Sequence, residues 1–126
     1  MAGNILLVDD SRVMLKMIER LLNESLPDYK VYTWSNPELC LEEINEQNLS
    51  FEFALIDYNM KEMNGIEFLT ALFAFDNPPV DKKKVSMLSA NIQMPVQTKA
   101  KELGLDFIAK PLDANKLELF LKEKGI

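Results

Sequence analysis

Histidine is absent from the 126 residues, and cysteine occurs once, as Cys40. The missing histidine removes Ser-His-Asp and Cys-His nucleophiles, histidine-ligated metals and any phosphohistidine carried by this chain. A single cysteine can close no intrachain disulfide and build no thiolate zinc site, which suits a reducing compartment. Glycine is scarce and scattered, at Gly3, Gly65, Gly104 and Gly125. No glycine-rich loop is therefore available to cradle a phosphate. No apolar stretch approaches the roughly 20 residues of a membrane span, and the amino terminus lacks the basic-then-apolar layout of a signal peptide. The expected location is cytoplasmic, with no membrane insertion. Positive charge is in the minority as well: 14 Lys plus Arg face 20 Asp plus Glu, for a net charge of −6. That sign repels phosphate backbones and anionic headgroups, so direct nucleic-acid binding is not expected. The one basic run, Lys82-Lys83-Lys84, reads as a solvated loop. What remains for chemistry is carboxylate, hydroxyl, lysine and a hard cation that prefers oxygen ligands.

What is present is a globular balance, 48% hydrophobic and 27% charged, enough for the core of one domain over residues 1–126. Ile5 to Val8, Phe53 to Ile56 and Val85 to Leu88 are continuous or nearly continuous apolar runs, as expected for strands covered on both faces of a parallel sheet. Phe107 to Ala109 is a shorter run, and Val31 to Trp34 reads as an edge strand. Helical spacing separates the runs. Val13, Met14, Met17, Ile18, Leu21 and Leu22 are placed on one face of a helix that Ser11 caps. Pro37 opens a second helix leading into Leu41 and Ile44. A third, from about Gly65 to Phe75, carries an apolar arc of Ile66, Phe68, Leu69, Leu72 and Phe73, wide enough to pack into a sheet groove. Val96, Ala100 and Leu103 mark a fourth that Gly104 ends, and Asp113 caps a fifth through Ala114, Leu117, Phe120 and Leu121. Strands alternating with helices in this way predict an α/β fold with a doubly wound, five-stranded parallel sheet, flavodoxin-like (βα)5, in the strand order 2-1-3-4-5. The segment Asp76-Asn77-Pro78-Pro79-Val80-Asp81 reads as a stiff connection.

In such sheets the ligand site lies beyond the carboxyl ends of the strands. Asp9 and Asp10 follow the first predicted strand, Asp57 the third, Ser89 the fourth, and Lys110 with Pro111 the fifth. Singly each has an ordinary structural use, as a cap, a turn or a surface lysine. Together they collect on one edge. Three carboxylates at close quarters repel one another, and a hard divalent cation such as Mg²⁺ relieves them. Metal, ammonium and hydroxyl then suit the oxygens of a transferring phosphoryl group, with one carboxylate as nucleophile. Asp57 is the natural nucleophile because the central strand presents it between the acidic pair and the lysine.

These residues resemble a known family, the receiver domains of two-component response regulators. The resemblance runs through Ile-Leu-Leu-Val-Asp-Asp-Ser at 5–11, Leu-Ile-Asp-Tyr-Asn-Met at 55–60 continuing to Met63, Asn64 and Gly65, Leu-Ser-Ala at 88–90, and Phe-Ile-Ala-Lys-Pro at 107–111. It implies a signalling domain, not an enzyme acting on external substrates, in which Asp57 accepts a phosphoryl group from the phosphohistidine of a histidine kinase or phosphotransfer protein. It implies that Asp10, Asp57 and the Asn59 backbone carbonyl ligate Mg²⁺, with Asp9 acting largely through water. Ser89 and Lys110 would contact the phosphoryl oxygens, and Phe107 would change rotamer on activation. Lys110-Pro111 would be a cis bond. The output surface would lie on the fourth helix, fifth strand and fifth helix, where Leu119 falls off the apolar face.

Departures from the pattern are few. Lys61 stands where the family usually has proline, which implies a looser loop but no lost catalytic group. Ser89 replaces the commoner threonine and keeps the hydroxyl. Asn59 and Asn91 occupy positions that tune phosphoryl lifetime in this family. With no output domain after the fifth helix, a stand-alone regulator of the chemotaxis type is expected ahead of a receiver cut from a longer protein. Two other classes stay open. A haloacid-dehalogenase-type Mg²⁺ phosphatase would use similar parts but wants a second Asp where Asn59 stands. A nucleotide-binding module would want the missing glycine-rich loop.

Overall fold

The apolar runs become the interior of a sheet. In the computed structural model, which describes residues 3–90 and 93–126, the strands are β1 (Asn4–Val8), β2 (Lys30–Trp34), β3 (Phe53–Asp57), β4 (Val85–Ser89) and β5 (Phe107–Ala109). Between and after them come α1 (Arg12–Ser25), α2 (Pro37–Gln47), α3 (Gly65–Phe73), α4 (Met94–Glu102) and α5 (Ala114–Glu123). All pairings are parallel and the order is β2-β1-β3-β4-β5, as expected. β3 and β4 are buried throughout, whereas β2 and β5 at the edges are only partly covered.

Alternation along the strands sorts their side chains into two cores. Leu6, Val8, Ala54, Ile56 and Met87 pack with Cys40 and Ile44 of α2, with Ile66, Phe68, Leu69 and Leu72 of α3, and with Ala100 of α4. Ile5, Leu7, Phe53, Leu55 and Leu88 pack with Leu15, Ile18 and Leu22 of α1 and with Leu117 and Phe120 of α5. Cys40 is a buried core residue, and burial pushes its thiol pKa well up, which leaves it unreactive.

The caps at Ser11 and Asp113 form where expected, and Asn36 supplies another that was not foreseen. Ser11 Oγ accepts from Met14 N–H, Asn36 Oδ1 ahead of Pro37 from Leu39 N–H, and Asp113 Oδ1 from Lys116 N–H. Gly104, at φ 73°, follows α4. The expected apolar face of α1 is wrong in part. Val13 and Met17 are 69% and 59% exposed, and the buried stripe is Leu15, Ile18 and Leu22, with Met14 and Leu21 on its flank. Val13 and Met17, four residues apart, lie nearly opposite that stripe on a helix of 3.6 residues per turn. α3 also stops two residues short of Phe75. Ala74 N–H turns back to Ala71 O and Leu72 O, and Pro78 disfavours helical backbone at Asn77. The basic run is not a plain solvated loop: Asp81 caps a 3₁₀ turn over Lys82–Lys84, and Lys84 pairs with Glu52 at 2.9 Å.

Candidate functional site

Parallel register assembles the site. Val8 lies opposite Ile56, so the residues after them, Asp9 and Asp57, come side by side. Asp57 lies opposite Leu88, and Ser89 opposite Ala109. The carboxyl edge therefore collects Asp9, Asp10, Asp57, Ser89 and Lys110 from four strands. Lys110 N–H donates to Ser89 O at 2.9 Å, and Lys116 Nζ bonds Ala109 O and Pro111 O at 2.9 and 3.0 Å. These contacts fix the backbone that carries the lysine, and its bond to Pro111 is cis, as the resemblance implies.

Lys110 Nζ lies 2.8 Å from Asp57 Oδ1 and 3.4 Å from Asp9 Oδ2. Asp9 Oδ1 accepts from Ser11 N–H at 2.9 Å. Asp10 Oδ2 accepts from Lys61 N–H at 3.1 Å. Among the described residues, Asp9, Asp10 and Asp57 each offer a carboxylate oxygen to one group whose members all lie within 4.8 Å of one another. Asp9, Asp57 and Ser89 are buried. Asp57 is pushed from 3.8 up to about 6, chiefly because burial disfavours its charge; the Lys110 hydrogen bond and charge oppose this, and the charges of Asp9 and Asp10 reinforce it. Burial works against the Lys110 ammonium, but its bond to Asp57 and the charges of Asp57 and Asp9 outweigh that and raise its pKa.

One ammonium against three carboxylates, two of them buried, leaves the pocket with excess negative charge. A hard cation with oxygen ligands fits that donor set. The residues that could hold it are Asp9, Asp10 and Asp57; the backbone carbonyl of Asn59, an exposed residue after β3, is added by the resemblance alone. Chemically, the arrangement offers a carboxylate nucleophile at Asp57 with positive charge 2.8 Å away to bind an anionic group as it arrives.

Two features were not foreseen. Tyr58, next to the candidate nucleophile, packs edge-on against Phe107, with ring centroids 5.7 Å apart. An aromatic beside Asp57 was visible in the sequence, but its partner was not. The loop after β3 also meets Asp10, through the Lys61 backbone N–H. Asn91 lies outside the described residues.

Comparison with known proteins agrees with the geometry. A family model described as the response regulator receiver domain matches residues 5–122. The transcriptional regulatory protein ZraR of Klebsiella oxytoca is 34% identical over 121 residues, covering 95% of this chain and 26% of that protein. The hybrid signal transduction histidine kinase C of Dictyostelium discoideum is 28% identical over 94% of this chain, which spans 10% of that protein. Among solved structures, the chemotaxis response regulator CheY4 of Vibrio cholerae superposes with a TM-score of 0.77 at 23% identity, covering 98% of this chain and 99% of that one. A two-component response regulator from Legionella pneumophila gives a TM-score of 0.79 at 22% identity, over 99% and 100% of the two chains.

Proposed function

This chain belongs to the response regulator receiver domain family, and we propose from that premise that Asp57 takes a phosphoryl group from the phosphohistidine of a histidine kinase or phosphotransfer protein. The observation that carries the reading is the position of Lys110 Nζ, 2.8 Å from Asp57 Oδ1 inside a cluster of three carboxylates. An Asp57 oxygen attacks phosphorus, the phosphorus–nitrogen bond breaks, and the electron pair leaves on the donor's imidazole. Lys110 holds an equatorial oxygen of the group in flight, and the Ser89 hydroxyl donates to another. Asp10, Asp57 and the Asn59 carbonyl, with Asp9 behind them, would hold Mg²⁺, which would supply neutralising charge for the incoming phosphoryl group.

The output reading follows from the same edge. Phosphorylation adds charge and strong acceptor oxygens that draw the Ser89 side chain inward, and Phe107 turns towards the space beside β4. The surface that changes is that of α4, β5 and α5. Support for it lies in the half-buried Phe107, the 56% exposed Leu119 and a groove of about 270 Å³ between β5 and α5. A downstream protein would read that face.

The phosphatase alternative is not favoured, because the family match is to a receiver and the residue two after Asp57 is Asn59. The test is covalent labelling. With Mg²⁺ and acetyl phosphate, intact-mass spectra of the wild type gain one phosphoryl group, as an acid-stable, base-labile acyl phosphate. Asp57→Asn gains none, since an amide is a poor nucleophile. Equal labelling of both proteins overturns the assignment.

A further inference from the structure

The loop between β3 and α3 is pinned at both ends. Tyr58 N–H donates to Leu88 O at 2.9 Å, Gly65 N–H to Tyr58 O at 2.8 Å, and Asn64 and Glu67 close a capping box at the start of α3. Residues 59–63 between these pins have no regular structure. In this stretch Lys61 N–H reaches across 51 positions of sequence to Asp10 Oδ2 at 3.1 Å. The bond thus joins the two segments that the metal reading requires to meet, Asp10 after β1 and the loop that carries Asn59.

We propose that the Lys61 backbone N–H is a positioning donor for the Mg²⁺ site. It holds Asp10 by one oxygen, leaves the other to the cation, and fixes the loop two residues beyond the Asn59 carbonyl. The inference rests on the Mg²⁺ reading given above. Its physical basis is that a ligating carboxylate is itself oriented by outer hydrogen bonds, whose loss typically costs about 10–100-fold in metal affinity. Reciprocity follows: a cation that needs Asp10 and the loop together also stabilises the bond between them. Lysine matters here for having a backbone donor, which proline lacks.

Two substitutions separate the N–H from the side chain. K61A and K61P both remove the ammonium, but only K61P removes the donor. In Mg²⁺ titrations followed by amide resonances of residues 9–11 and 57–60, K61P is expected to bind at least about tenfold more weakly than K61A. Melting without Mg²⁺ checks that both are folded. A wild type that shows no Mg²⁺-dependent shift defeats the metal reading itself. A wild type that titrates, with K61A and K61P sharing one midpoint, defeats only the present inference. A second measurement holds even if K61P does not fold: in the wild type, solvent exchange of the Lys61 amide is slow both without Mg²⁺ and at saturation, and Asp10→Ala speeds it about tenfold or more. If saturating Mg²⁺ instead releases that amide to exchange, the bond competes with the cation and the proposal is wrong.

Discussion

Replacing Asp57 by Asn should stabilise the metal-free fold while destroying its chemistry. The folded-state pKa of Asp57, about 6, lies above the 3.8 of an unperturbed carboxyl, with burial as the leading cause. The folded chain therefore holds a proton that the unfolded chain has released between roughly pH 4 and 6. Stability contributed by this group is complete below that window, falls as pH rises through it, and stays low above about pH 7. At roughly 1.4 kcal/mol per pKa unit, the penalty on the ionised form is about 3 kcal/mol. Asparagine removes the charge at nearly constant size, so the gain at pH 8 is bounded by that penalty, about 1–3 kcal/mol. For a domain of this size that is roughly 3–10 °C in Tm. Thermal denaturation by circular dichroism, in EDTA at pH 8 and at pH 4.5, measures both halves of the argument. Asp57→Asn should melt higher at pH 8, and the gap should shrink towards zero at pH 4.5. An equal or lower Tm at pH 8, or a gap that ignores pH, refutes the reasoning that burial and repulsion outweigh the Lys110 ion pair.

Gly65→Ala should lose about 1–3 kcal/mol in urea denaturation, because a Cβ there meets Met87 Sδ at 3.0 Å and the Asp57 O and Tyr58 Cα atoms at 3.1 Å, two of the three being backbone. Unchanged stability would show that the loop yields easily. Met17→Ser should change stability by less than about 0.5 kcal/mol, whereas Leu15→Ala costs about 2–5 kcal/mol; similar losses for the two would restore the apolar face read from spacing. Beryllofluoride, a phosphoryl mimic, should shift the amide resonances of residues 88–90, 105–110 and α5. Ser89→Ala and Phe107→Ala should each blunt those shifts while retaining some phosphorylation at Asp57. Wild-type-sized shifts in both variants would place the route to the surface elsewhere.

The elements and the acidic site were legible along the chain for local reasons. Runs such as Phe53 to Ile56 have no polar face, so they can only be interior strands, and each ends on a side chain that chemistry can use. Ser11 and Asp113 are helix caps that act within three residues of themselves. Asp9, Asp10 and Asp57 could be foreseen as neighbours because parallel strands in register bring their ends to one edge. The apolar face of α1 was not foreseen in full. Val13 and Met17 share the hydrophobic character of Leu15 and Ile18, and only the sheet beneath the helix selects which stripe is covered.

By itself, then, the sequence determined the alternation of strands and helices, the capping of the helices and the set of ionisable groups at the strand ends, because each depends on residue type and short spacing. The tertiary structure decided which of those groups touch. Lys110 reaches both Asp57 and Asp9 across separate strands, Tyr58 lies against Phe107, and the Lys61 N–H finds Asp10. Contacts of this kind are set by register, loop path and packing over long separations, and every residue but proline carries the same backbone donor, so nothing in the letter at position 61 announces the partner it will meet.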